Sequence, residues 1–296
     1  MRVLLVDLDR TGFPNLALMK LSAWHKRLGH TVYLNEPIQG YDHVEASCVF
    51  SWNLKKQTRY PTPHHAGGRA FSLHDDLPHD VDHIMPDYSL YGTDYSLGVT
   101  SRGCPNRCPW CEEWRNTPYT VPHARIFEFW DRRHSHIKLL DANLLASPGV
   151  FTTLQDLAAS PVTVDFNQAL DIRFVDADVA HALSAVTVKP CLRFSFDSSP
   201  VDESVRRGVS ALVKRGFRAS QLNFYVMVGF GESFAQESYR LKLLKELGCQ
   251  AHIMFYRDRE GREHLPAEGS ITEEELPRGS RWTIRKYVRR AGRRSR

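Results

Sequence analysis

Cysteine is sparse in this sequence, long apolar runs are missing, and one-sided charge is confined to the last residues. Each shortage excludes something. Six cysteines in 296 residues, three of them within eight positions, do not make a secreted disulfide framework; they suit a metal or cluster site in a reducing compartment. The opening "MRVLLVDLDR" meets acidic residues after a few apolar ones, unlike a signal peptide, and no later stretch approaches the apolar length of a membrane span. The expectation is a cytoplasmic protein without membrane contact. With 42% hydrophobic residues the chain can bury a sizeable core without disulfides.

The net charge of +5 conceals an uneven distribution. The last sixteen residues, "RWTIRKYVRRAGRRSR", hold seven Arg and one Lys and no acid, which leaves 31 basic and 34 acidic side chains in residues 1–280. Such a tail could contact RNA, DNA or an acidic partner. The plain alternative is a solvated terminus, since Trp282 and Tyr287 are its only interleaved aromatics.

Strand and helix signals alternate along most of the chain. "RVLLVD", the helical stretch "PNLALMKLSAWHKRLG" with Ala17, Leu18, Leu21 and Leu28 on one face, and "TVYL" predict a strand–helix–strand unit, followed by a strand at 44–51. Residues 55–87 mix Pro, Gly and His without period and read as a long connection. From residue 95 the predicted strands are "YSLGVT", "HIKLLD", "VTVDFN", "CLRFSFD", "LNFYVMVGF" and "QAHIMFY". Between them lie helix signals, clearest at "DESVRRGVSALVKRG" (Val205, Val209, Leu212, Val213) and "ESFAQESYRLKLLKELG" (Phe234, Leu241, Leu244, Leu247), closed by Gly216 and Gly248. Six such units predict an α/β protein with a parallel sheet curved into a partial (β/α)6 barrel, whose active face lies at the strand C-terminal ends. The predicted organisation is a small Rossmann-like α/β domain at 1–54, a connecting segment at 55–89, the barrel at 90–258 and an extension with the basic tail at 259–296.

The densest chemical signal is "SRGCPNRCPWCEE", with Cys104, Cys108 and Cys111 spaced by four and then three positions. Thiolates suit zinc or iron–sulfur clusters. Three local ligands are one too few for structural zinc unless His123 or His134 completes the set. For a four-iron cluster, three ligands leave one iron open to an exogenous molecule. Cys191 and Cys249 are isolated and read as core residues.

With Trp110 as the aromatic before Cys111, the loop resembles the Cys-x3-Cys-x-aromatic-Cys loop of the radical S-adenosylmethionine (SAM) superfamily, and its place after the first barrel strand strengthens the likeness. The resemblance covers residues 90–258; the preceding part resembles the partial α/β domain found in the branch with methylthiotransferases and cobalamin-binding members. It implies a [4Fe-4S] cluster on Cys104, Cys108 and Cys111, SAM chelated to the fourth iron through its amino and carboxylate groups, and an external flavodoxin- or ferredoxin-like electron donor. Reductive cleavage of the sulfonium would then give a 5′-deoxyadenosyl radical that takes hydrogen from a substrate.

Further family motifs map unevenly. Where members carry a Gly-Gly-Glu-like element for the methionyl amine, this chain has "LLDANLL", offering Asp141 and Asn143 for SAM or as caps of the next helix. "DFNQALDIR" places Gln168, Asp171 and Arg173 at the expected rim, for SAM or substrate, or as a simple Asp171–Arg173 pair. In "RFSFDS", Phe194 and Phe196 alternate with Arg193, Ser195 and Asp197, so Ser195 and Asp197 are candidates on the ligand side. "YVMVGFGES" is similar to the adenine-side motif, through Gly229, Gly231 and Glu232.

The reaction beyond radical generation stays open. A methylthiotransferase would carry a second three-cysteine cluster, yet only Cys48 precedes Cys104. A cobalamin enzyme might carry Asp-x-His-x-x-Gly, yet "DLDRTGFPNL" has no histidine. The expectation is a single-cluster radical SAM enzyme acting on a nucleoside, an RNA or a protein. The alternative class is a non-enzymatic nucleic-acid-binding protein stabilised by a metal or cluster.

Overall fold

The computed structural model describes residues 1–36, 40–74, 76–279 and 281–292, with side chains undescribed at 281 and 282. The basic-tail residues Trp282, Arg293, Arg294 and Arg296 therefore fall outside the described side chains. The chain forms two compact units: Met1–Gly98 with Ala124–Ile137 and Arg259–Gly261, and Val99–His123 with Lys138–Asp258 and Arg262–Arg296.

Unit 1 is a parallel sheet built from β1 (Arg2–Asp7), β2 (Thr31–Leu34), β3 (His43–Ser47) and β4 (His65–Gly67), in the order β2-β1-β3-β4. Helix α1 (Leu16–Arg27) makes the crossover from β1 to β2, started by Asn15, whose side chain accepts the Leu18 amide at 3.2 Å. β1 is apolar at consecutive positions because it is covered on both faces. Leu4 and Val6 pack with Val44 and Ala46, while Val3 and Leu5 pack with Leu18. Leu28, expected on the packed helical face, is exposed; the face turned inward instead carries Leu18, Met19, Ser22 and His25.

The predicted connection at 55–89 is structured. A 3-10 helix runs from Ser51 to Arg59, β4 extends the sheet, and a short α2 (His79–Asp82) precedes β5 (Ser96–Gly98). Three residues are too few to show a period, which is why β4 is illegible in the sequence. Segment 124–137 supplies buried Ile126, Phe129 and Trp130 to this unit.

In unit 2 the antiparallel pair β6 (Ser101–Arg102) and β7 (Val121–Pro122) brackets the cysteine loop, which holds the single turn α3 (Glu113–Asn116). The series then runs β8 (His136–Leu139, its last two residues in this unit), α4 (Val150–Ala158), β9 (Thr163–Phe166), α5 (Ala177–Ser184), β10 (Leu192–Ser195), α6 (Asp202–Lys214), β11 (Leu222–Val228), α7 (Phe234–Glu246) and β12 (Gln250–Phe255). β8 and β9 are neighbours, and β10, β11 and β12 pair in parallel. Single parallel bridges, Val164 to Val188 and Leu170 to Phe194, carry the pairing from the β9 region towards β10.

β10 alternates as expected, and β11 and β12 continue the pattern. Leu192, Phe194, Leu222, Phe224, Val226, Ala251 and Ile253 are buried on one face. Arg193, Ser195, Asn223, Tyr225 and His252 alternate with them on the other, and Ser195, Tyr225 and His252 form one row across the sheet. Val213, expected on the buried face of α6, is exposed.

Of the expected extension at 259–296, all but Arg259–Gly261 belongs to this unit. β13 (Arg278–Gly279) pairs in parallel with β12, and α8 (Arg281–Ala291) buries Ile284, Tyr287 and Ala291. Two cations of the basic stretch, Lys286 and Arg290, pair with Glu263 and lie over the Phe255 ring. Among the described residues, no helix is long and apolar enough to cross a membrane.

Candidate functional site

The cysteine loop closes on itself through backbone contacts. The Cys104 amide donates to Thr117 O at 3.1 Å and the Cys111 amide to Cys108 O at 3.1 Å, while Trp114 Nε1 donates to Cys108 O at 3.0 Å. Gly103 has φ +82, and a Cβ there would lie 2.1 Å from Tyr119 O, so only glycine lets the chain enter the loop this way. None of the three thiols is in a disulfide, and all three are half-buried. Burial pushes the Cys108 thiol up, against the neighbouring positive charge of Arg173.

Cys104, Cys108 and Cys111 are not within the 4.8 Å grouping that one ion requires, and neither His123 nor His134 completes such a group with them among the described residues. The ligands of a four-iron cluster are spread over the corners of a cube, farther apart than those of one ion. His134 instead hydrogen-bonds Ser96 in unit 1 at 3.1 Å.

Polar side chains that follow β8 and β9 gather beside the cysteine loop. Asn143 Nδ2 donates to Cys104 Sγ at 3.4 Å and to Asp171 Oδ2 at 3.1 Å. Asp171 also takes Asn106 Nδ2 at 2.5 Å and both Arg173 Nε and Nη2 at 2.8 Å. With its nitrogen fixed by two acceptors, Asn143 presents a side-chain oxygen that is buried and has no protein partner. Asn106, absent from the sequence-derived set, is the residue that ties the loop to Asp171.

Asp141 is engaged elsewhere. Its carboxylate receives the Thr100 and Ser101 amides at 3.0 and 2.5 Å and both their hydroxyls, at 2.8 and 2.7 Å. It braces the chain that leads into the loop; burial pushes its carboxyl up, and these donors oppose that shift.

The other candidates divide. Gln168 stands exposed on the turn after β9. Trp110 meets Phe230 edge-on at 5.5 Å, and Phe230 meets Tyr256 at 4.7 Å, so an aromatic series runs from the cysteine loop through the turn after β11 to the end of β12. Gly229 has φ +84, and a Cβ there would come within 2.8 Å of Leu265 O; its own chain already requires glycine. Gly231, φ +70, turns in open space.

Glu232 accepts the Ser199 amide at 3.1 Å and Arg240 Nε at 2.8 Å. Arg240 and Glu237, both fully buried on α7, were not legible as site support. Arg240 donates to Phe196 O and Met227 O, and Glu237 accepts the Gly229 amide at 2.7 Å.

Asp197, at the end of β10, accepts the Met227 amide at 2.8 Å, and burial pushes its carboxyl up to about 6 while Arg240 and Arg173 oppose that shift. An unfolded aspartate titrates near 3.9, so the folded chain holds this proton more tightly. The stability tied to it is complete below about pH 4 and is lost as pH rises through about 6. Asp197→Asn removes the titration. Urea unfolding of the apo chain should show the variant gaining about 1 to 3 kcal/mol on wild type between roughly pH 4 and pH 7. A difference that stays flat across that range would place the carboxylate in free water.

The parallel strand–helix series of unit 2 follows a loop with three thiols. Among solved structures the chain is similar to the cobalamin-dependent S-adenosylmethionine radical enzyme OxsB with aqua-cobalamin and S-adenosylmethionine bound. The TM-score is 0.54 at 11% identity, over 84% of this chain and 52% of that one. OxsB with aqua-cobalamin bound gives 0.45 at 13% identity, over 85% and 49%. The chain thus spans about half the length of the enzyme it matches, and the likeness is one of fold. No family model and no curated protein matches the sequence.

Proposed function

We propose that this protein is a radical SAM enzyme in which Cys104, Cys108 and Cys111 hold one [4Fe-4S] cluster and SAM binds beside it. The observation that carries this reading is the meeting of Cys104, Asn143, Asp171 and Arg173 at the strand ends of a radical SAM fold. What the bound pair supplies is one-electron chemistry, reductive cleavage of the sulfonium to methionine and a deoxyadenosyl radical able to take hydrogen from a substrate.

The residues of the chain bind and position. The buried, unpartnered Asn143 oxygen suits the methionyl ammonium, a role for which Asp141 has little acceptor capacity left. Asn143 Nδ2, donating to Cys104 Sγ, would stabilise thiolate charge, as would Arg173. Arg173, oriented by Asp171, could also reach the SAM carboxylate. Ser195 and Asp197, with the row Ser195–Tyr225–His252, form the polar wall proposed to face the ribose or the substrate. Trp110, Phe230 and Tyr256 would keep water from that side. Gly231 and Glu232 remain proposed for the adenine side, Glu232 through its hold on Arg240 and Ser199.

Cobalamin is not part of the proposal. The acids at the end of β1 serve the chain itself: Asp7 accepts the Asp9 and Arg10 amides and Tyr91 Oη, and Asp9 accepts Val49 N, Phe50 N and Asn53 Nδ2. An external one-electron donor is required by the chemistry. A nucleic-acid substrate remains the preferred class, though Lys286 and Arg290 already share Glu263.

The test is anaerobic reconstitution with iron and sulfide followed by SAM titration, read by electron paramagnetic resonance of the reduced cluster. SAM should alter the spectrum. Asn143→Leu should keep the iron yet weaken SAM binding by about 1.5 to 3 kcal/mol, roughly ten-fold or more in Kd. A spectrum unmoved by SAM would remove the enzymatic reading and favour a cluster-stabilised binding protein.

A further inference from the structure

We propose that unit 1 carries a binding site for one divalent cation of the zinc class, formed by the imidazoles of His25 and His43 and the carboxylate of Glu45. Their three ligand atoms lie within 4.8 Å of one another. His43 Nε2 is 3.1 Å from Glu45 Oε1, and His25 Nε2 is 3.5 Å from the same oxygen. Tetrahedral coordination with bonds near 2.0 to 2.2 Å separates neighbouring ligands by about 3.3 to 3.6 Å, so the set needs little movement to close on an ion.

The ligands come from rigid elements. Positions 43 and 45 alternate on one face of β3, and His25 projects from the last turn of α1. Residue exposure is 7% at His25 and 8% at Glu45, so the carboxylate is held where an uncompensated charge is costly. His25 Nε2 and Glu45 Oε2 are nevertheless buried without a hydrogen-bond partner. Two imidazoles converge on one carboxylate oxygen while the other stays unserved; a single cation would satisfy all three groups together.

Outer contacts fix the rings as ligating histidines are commonly fixed. His25 Nδ1 is 3.0 Å from His30 Nδ1, which directs Nε2 toward Glu45. His43 stacks on His64 at 4.8 Å between centroids, and His64 is held by the Val44 amide at 3.0 Å. The His43 side chain is 20% exposed, leaving water a route to a fourth position. Two imidazoles and a carboxylate without sulfur suit zinc and its borderline neighbours rather than calcium or magnesium.

The site is separate from the thiols, and so is its test. The full chain with Cys104→Ser, Cys108→Ser and Cys111→Ser, stripped by a chelator, is titrated with Zn2+ against a chromophoric chelator. About one equivalent should bind, and Glu45→Gln or His43→Asn should weaken it by roughly 30-fold or more. X-ray absorption at the zinc edge should report nitrogen and oxygen ligands with imidazole scattering. Because a substitution at this buried cluster can disturb folding, imidazole NMR of the thiol-free parent gives a readout without one. Zn2+ should move the rings of His25 and His43 and leave His252 of unit 2 in place. Substoichiometric binding, binding that survives Glu45→Gln in a folded chain, or shifts confined to other histidines would overturn the site and show Glu45 to be no more than the acceptor of two imidazoles.

Discussion

Replacement of any one of Cys104, Cys108 or Cys111 by alanine is expected to reduce SAM cleavage to background and iron content to well below the four atoms of a full cluster. No spare thiol is placed to substitute. Cys48 and Cys249 are buried, with thiols pushed up to about 12 by burial, and Cys191 stands half-buried beside β10, where the sequence suggested a core residue. Cys249→Ala should therefore keep its iron and lose only packing. The paired measurement is iron and sulfide content with product formation under an artificial reductant. A triple alanine chain that still held a reducible cluster and cleaved SAM would remove the assignment altogether.

Arg240→Met should cost unit 2 about 3 to 5 kcal/mol, a fall of roughly 10 °C in Tm. The guanidinium is 1% exposed and serves Phe196 O at 2.6 Å, Met227 O at 2.7 Å and Glu232 at 2.8 Å. Removing it leaves two strand-end carbonyls and a carboxylate unmatched. Lysine should recover only part of the loss, because a point charge cannot reach three acceptors in a plane. Adding Glu232→Leu to Arg240→Met should restore some stability by removing the stranded charge. Thermal unfolding of the four chains measures both effects; a loss under about 1 kcal/mol would mean that water replaces the guanidinium.

The sequence was most informative where a strand is long and covered by helices. At 192–195 alternation named both the buried aromatics and the polar face opposite, and at 222–228 and 250–255 the strands themselves were legible. It failed at the edges. β4 and β13 have three and two residues, too short for a period, and α8 hides buried Ile284 and Tyr287 among arginines. In the candidate site, the residue types at 141 and 143 were visible but their division of labour was not. Thr100 and Ser101 lie forty positions from Asp141, and only the fold reveals that they take its acceptor sites. Arg240 and Glu237 escaped notice because charged residues on a helix ordinarily face water.

Unit 1 is not contiguous in the chain. Gly98 lies so close to Phe129 that a Cβ there would fall 2.4 Å from the ring, and one at Gly261 would fall 2.9 Å from Trp52. Synthesis runs from the amino end, so the four-stranded sheet is complete well before residues 124–137 arrive to bury Trp130, and Gly261 follows only after β12 has been made. A fragment ending at Gly98 would leave Tyr88 without Phe129, one of its hydrogen-bond partners. Recombinant dissection of this protein should accordingly cut around three segments rather than at one boundary, and a slow-folding lesion in unit 2 would delay the closing of unit 1.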